Sequence, residues 1–213
     1  GRMLTLKDLD VDLTIKGKNL SLRPRKPVQL FDGRINGKLD VTLVENTDYK
    51  ADFNFQKADF GKLMKTFFDN DKVSGNFDGA IRVNGFFKDM KSMSGEGELT
   101  IRNGILYPIP IFGALSEVLN SMIPNMGYSQ ADQAKTHYLI EDGVVNMDKI
   151  DVYSTAFALI GSGKYNFIDD DVNMSMRVNI RGPIGIITFP FSKLFEYQGT
   201  GSLNDTEWKP KAF

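Results

Sequence analysis

Period-two alternation of apolar and polar residues runs through most of this chain and narrows the fold class more than any other feature. Successive side chains of a strand point to opposite faces, so sustained alternation specifies a sheet with one apolar and one wetted face. Leu9, Val11, Leu13 and Ile15 alternate with Asp10, Asp12, Thr14 and Lys16; Ile35, Gly37, Leu39, Val41 and Leu43 alternate with Arg34, Asn36, Lys38, Asp40 and Thr42. The pattern recurs over Tyr49–Phe55, Val73–Val83, Gly95–Ile101, Phe157–Tyr165 and Val172–Ile180. Parallel strands buried on both faces would read as continuous apolar runs, so one-sided alternation points to an antiparallel sheet. Glu141-Asp142-Gly143 and Asp169-Asp170-Asp171 fall where connections belong. The expected fold is therefore mainly β: a long curved antiparallel meander, forming a groove or an open barrel-like sheet.

Two segments break the strand period. Asp59 can cap a short helix near 59–68 that carries Phe60, Leu63, Met64, Phe67 and Phe68. Farther on, Pro108 and Pro110 prevent an earlier start, after which Ile111, Phe112, Leu115, Val118, Leu119 and Met122 recur at helical spacing up to Pro124. The spacing predicts an amphipathic helix near 111–123, with Ser116, Glu117, Asn120 and Ser121 on its polar face. Glycines on the apolar strand faces remove side chains there; they either permit bulges and sharp bends or let another apolar object approach.

Lysine and arginine total 26 against 27 acidic residues, interleaved along the chain, which gives no electrostatic reason to expect nucleic acid. Cysteine is absent, so disulfides, thiolate metal sites and cysteine nucleophiles are excluded together. No apolar run reaches the roughly 18 to 20 residues that span a bilayer, and the opening does not resemble a signal peptide. Residues 1–213 read as one β-rich domain cut from a longer protein, any membrane anchor lying outside it. A loose echo between "GRINGKLDVTL", "VSGNFDGAIRV" and "MSGEGELTI" allows sub-repeats over 1–90 and 91–213.

Signals for chemistry are weak. His137 is the single histidine, in a strand-like stretch with no nucleophile elbow nearby, so a histidine metal cluster cannot form and a triad has no local support. Gly161-Ser162-Gly163 lacks the remainder of a phosphate-binding fingerprint, and the acidic triplet at Asp169 lacks the spaced oxygen ligands of a calcium loop. The expectation is a protein without catalysis, cofactor or metal.

"SGEGELTIRNGILYPIPIFGALSEVLNSM", then "YLIEDGVVNMDKIDVYSTAFALIGSGKYNF" and the closing "YQGTGSLNDTEWKP" resemble the C-terminal region of AsmA-like proteins of Gram-negative envelopes. The likeness lies in the order: a glycine-rich strand, an "NG-I-L" turn, a proline-led helix, a strand pair around "DG-V", then "G-S-G-K-Y" and a terminal "G-x-L-x-D-x-x-W". It covers about the last 120 residues. The resemblance implies a periplasmic segment of a protein anchored in the inner membrane, with an apolar β trough that handles phospholipid and contributes to outer-membrane homeostasis, alongside TamB-like relatives.

On that reading the groove is lined by Phe53, Phe55, Phe77, Ile81, Leu99, Ile101, Leu159, Met174, Met176 and Val178, with Phe112, Leu115, Leu119 and Met122 of the helix closing one end or touching lipid. Acyl chains are the expected ligand, outer-membrane or other envelope proteins the further partners. Two alternatives stay open: a β-rich interaction module whose open sheet edge pairs with another protein, and a carbohydrate-binding sandwich using Trp208, Tyr107 and Tyr128. The bland reading of the helix, and the one most amphipathic helices follow, is a plug whose apolar face is core.

Overall fold

A computed structural model describes residues 10–122, 124–180 and 196–211. The side chains of Pro110 and Met122 and the whole of Leu9 lie outside the described residues. The strands are β1 (Val11–Lys16), β2 (Asn19–Pro24), β3 (Val28–Leu30), β4 (Gly33–Thr42), β5 (Asp48–Asp59), β6 (Ser74–Phe86), β7 (Asp89–Ile105), β8 (Ala131–Glu141), β9 (Val144–Ser154), β10 (Phe157–Asn166), β11 (Asp171–Ile180), β12 (Glu196–Gly201) and β13 (Thr206–Pro210). Helices α1 (Phe60–Phe68) and α2 (Pro110–Met122) interrupt them, with a 3-10 turn at Met126–Tyr128.

The protein is mainly β, and these 13 strands form one antiparallel sheet that does not close into a barrel. Neighbours follow sequence order from β1 to β13, except that β3, among the described residues, pairs with the start of β4 alone. The meander expected from one-sided alternation is the observed topology.

Register carries the alternation across the sheet. Residues directly opposite one another share a face, so the pairs Ile35↔Phe55, Phe55↔Gly79, Gly79↔Leu99, Leu99↔Thr136, Thr136↔Ile150, Ile150↔Gly161, Gly161↔Met176 and Met176↔Tyr197 trace one row of the apolar face. The reverse face carries polar ladders such as Asp52–Arg82–Glu96, in which Arg82 reaches the two carboxylates at 3.3 and 2.9 Å. Exposed pairs of this kind each contribute about 1 kcal/mol or less.

Bulges bend this ribbon. In β5 an extra residue falls between Phe55 and Ala58, where Lys57 takes a positive φ of 51° and its N–H donates to Asp78 Oδ1 at 2.8 Å. In β7 the "NG-I-L" segment is not a turn. Asn103, at φ 53°, is the extra residue of a bulge, and the strand runs on to Ile105.

Each helix starts where local chemistry permits. The Asp59 carboxylate accepts from Lys62 N at 2.9 Å, and Asp69 in the left-handed region ends α1 by donating its N–H to Met64 O. Helix α2 begins at Pro110 itself, one residue before the expected start, because a proline at the first helical position has no N–H to leave unpaired. The carbonyl of Ile109 accepts from Phe112 N and Gly113 N at 2.9 and 2.8 Å. Ile111, Leu115 and Leu119, spaced four apart, are buried, each burial being worth about 1.5–3 kcal/mol.

The sheet curls around the start of α2. Ile111 stands beside a cleft whose walls include Leu99 and Ile101 of β7, and its carbonyl accepts from Trp208 Nε1 of β13 at 2.9 Å. Six strand spacings separate β7 from β13, about 29 Å in a flat sheet, far more than one residue can bridge. One buried apolar cluster runs from Ala58, Phe60 and Phe77 through α2 to Val178 and Trp208.

Candidate functional site

The apolar face divides into a covered and an open part. Under α2, the side chains of Val172, Met176 and Val178 on β11 and Leu159 on β10 are buried with Leu115 and Leu119 in the central cluster. Toward β1 to β6, Leu22, Leu39, Val41, Phe53, Ile81 and Val83 share the same face but remain half-exposed. Helix α1 covers only the lower corner of this part, where Phe60 meets Phe77 edge-on at 6.0 Å and Phe77 meets Phe55 at 5.6 Å.

Between α2 and the sheet lies a half-open cleft of about 280 Å³ whose exposed lining is almost wholly apolar. Its walls come from β7 (Leu99, Ile101), β8 (Ala134, Thr136), β9 (Met147, Ile150, Val152), Tyr165, Met174 and Leu203, with Leu106, Ile111 and Phe112 above. That space is nearly twice the roughly 150 Å³ apolar cavity that admits benzene, and close to the roughly 300 Å³ lower bound of ligand pockets. It accommodates part of an acyl chain, and the rest of a chain would extend over the open face.

At Gly97 and Gly199 the missing side chain does not leave open room. A Cβ at Gly97 would fall 2.3 Å from Tyr138 Oη, and one at Gly199 would fall 2.8 Å from the indole of Trp208. The neighbouring strand's own large side chains occupy those gaps, so the glycines serve cross-strand packing.

The groups with shifted proton affinity on this face are phenols. Burial pushes the phenols of Tyr49, Tyr138 and Tyr197 upward, and Tyr165 rises through burial together with the hydrogen bond its hydroxyl donates to Asp170 at 3.1 Å. Among the described residues, no group of three or more histidine and acidic side chains is placed to hold a metal ion. His137 sits exposed on the polar face, its Nδ1 3.8 Å from Asp148. The acidic triplet builds a turn, in which Asp170 Oδ1 also accepts from Leu203 N.

The expected groove residues therefore separate. Leu99, Ile101, Phe112 and Met174 line the cleft; Phe53, Phe55 and Ile81 stand on the open face. Phe77, Leu115, Leu119, Leu159, Met176 and Val178 are interior packing, with Leu115 1% and Met176 0% exposed, and no ligand reaches them without displacing the protein's own side chains. The side chain of Met122 lies outside the described residues, and Met126 is buried as a gap filler.

The expected polar face of α2 holds at Glu117 and Ser121, which are exposed, and is corrected at its other two residues. Ser116 is buried and Asn120 half-buried, because the 3-10 turn packs there and Gly127 N donates to Asn120 Oδ1 at 2.8 Å. Trp208, a candidate for stacking on sugars, is buried with its N–H spent on Ile111; Tyr107 and Tyr128 are exposed and meet each other at 5.0 Å.

Sequence reasoning missed Leu106, Ala134, Met147, Ile150, Val152, Tyr165 and Leu203 as lining residues. An extra residue in β9 between Met147 and Ile150 shifts the phase, so Val145 and Met147 share a face with Ile150 and Val152. Two short alternating runs out of phase were the available signal. Comparison with family models, with curated proteins and with solved structures returns no match.

Proposed function

We propose that this chain is a non-catalytic lipid-handling segment of a bacterial envelope protein, which binds acyl chains on the apolar face of its open sheet and contributes to phospholipid transport or outer-membrane homeostasis. The observation that carries the reading is the apolar cleft beneath α2 together with the half-exposed apolar face beyond it. Each methylene moved from water onto such a surface gains about 0.8 kcal/mol, with no polar contact needed. The resemblance of the last 120 or so residues to AsmA-like proteins supports the lipid class and a periplasmic setting.

Native mass spectrometry and lipid extraction of the chain, purified from a Gram-negative host, test this. Phospholipid retained by the natural chain and lost from a folded Ile81→Asp variant is expected. A chain that stays free of lipid when offered phospholipid vesicles refutes the reading.

A second reading rests on β1, which among the described residues pairs only with β2 and exposes Leu13 and Ile15. Such an edge suits strand addition by another protein. A pull-down from envelope extract that Leu13→Pro abolishes, from a chain without lipid, favours this reading over the first.

A further inference from the structure

Much of the large apolar surface exposed on this protein gathers at one end of the ribbon. The β1–β2 turn, the β4–β5 loop and the β6–β7 hairpin lie side by side there, held by Leu43 N donating to Lys18 O at 2.7 Å and Phe87 N donating to Thr47 O at 3.1 Å. Ile15, Leu43, Val44, Phe86, Phe87 and Met90 project from them, Phe87 at 59% and Met90 at 60% exposure. A hydrophobic cluster of this kind in water is costly to maintain and marks a contact surface.

Four lysines and three carboxylates accompany these tips. Lys16, Lys18, Lys88 and Lys91 are interleaved with the apolar tips, and none of the four forms an ion pair with a described residue, which leaves their ammonium groups free for an external anion. The three carboxylates nearby are Asp48, Asp89 and Glu45. Asp48 accepts from Thr42 Oγ1, Asp89 accepts from Lys91 N within the hairpin, and Glu45 lies at the β4–β5 loop.

We propose that this end of the ribbon docks on the surface of a phospholipid bilayer, its apolar tips entering the headgroup boundary and its lysines reaching anionic headgroups. Lysine is depleted in protein–protein interfaces, yet its long stem can lie along apolar surface while the ammonium stays at a lipid headgroup. The tip is apolar on both sides. By register Phe86, opposite Asp48, belongs to the polar face, while Phe87 meets Tyr49 of the apolar face at 4.9 Å. Such a tip suits end-on insertion better than lateral contact of one sheet face. Through Tyr49, opposite Val41 and Gly85, the patch runs into the open apolar face, so a docked ribbon presents that face to the bilayer from its edge.

Flotation of the full chain with phosphatidylcholine vesicles, with and without phosphatidylglycerol, tests the docking. Binding is expected, tighter with phosphatidylglycerol. A Phe87→Ser/Met90→Ser variant should weaken it on the order of tenfold or more. Lys88→Gln/Lys91→Gln should weaken it on the order of tenfold only where phosphatidylglycerol is present. Phe68→Ser, at an exposed position of α1 outside the patch, should leave it unchanged. Absence of vesicle binding by the natural chain overturns the proposal, as does an equal loss with Phe68→Ser, or self-association through the same tips without vesicle binding. A chain that carries lipid yet floats with neither vesicle overturns docking alone; one that floats yet carries none overturns the cargo reading alone.

Discussion

The two ends of this sheet are written in the same alternating pattern and meet different fates. From β8 to β13 the apolar face closes around α2, and Val172, Met176 and Val178 are fully buried. From β1 to β6 the same pattern yields Leu22, Leu39, Phe53 and Ile81 in half-exposed positions, with α1 covering one corner. Alternation thus specifies which side chains share a face and says nothing of what covers that face. The protein's own side chains fill most of the covered end and leave the cleft beneath α2, whereas the open end, among the described residues, has no covering element beyond α1.

Substitutions that place a charge at matched positions break or sharpen this contrast most. Met176→Asp buries a carboxylate with no partner and should cost more than about 4 kcal/mol, seen as loss of cooperative unfolding in a thermal melt. Ile81→Asp, on the open face, should cost about 1 kcal/mol or less by the same melt. Comparable losses at the two positions would erase the distinction between the halves.

Trp208→Phe ranks next. It removes the indole donor to Ile111 and part of the volume over Gly199, which should lower stability by about 1–3 kcal/mol in denaturant titration. Ala134→Phe fills the cleft beneath α2; stability should change by about 1 kcal/mol or less, while retained lipid measured by native mass spectrometry falls.

The smallest effect concerns the β5 bulge. The N–H of Lys57 holds the Asp78 carboxyl below its ordinary value, with Arg102 adding to the shift against partial burial. A depressed native pKa means the stabilisation is complete above the ordinary carboxylate range and is lost as pH falls through the native value. Asp78→Asn should therefore lower stability by about 1 kcal/mol or less at pH 7, since the site is partly solvated, and the gap to the natural chain should narrow below about pH 4. A gap that widens on acidification contradicts this assignment.

Much of the fold was legible because strand period and face are local properties. β4 to β7, β10 and β11 follow the alternation directly, and Asp59 announced α1 by a side chain that caps its own neighbour. β9 was obscured by one inserted residue that reverses the phase between Met147 and Ile150. The burial of Ser116 and Trp208 depends on a turn eleven or so residues later and on a carbonyl far along the chain, and no local pattern encodes either. For the same reason six of the expected groove residues proved to be interior, since exposure is decided by the covering element rather than by the strand that bears the side chain.

The central claim is that acyl chains occupy the apolar side of the open half. A photo-crosslinking residue placed at Ile81, and in a separate chain at its neighbour Arg82 on the polar side, tests it directly when the cells are irradiated before purification. Phospholipid adducts at position 81 with few or none at position 82 are the predicted result; no adduct at 81, or equal labelling at both, would contradict the account.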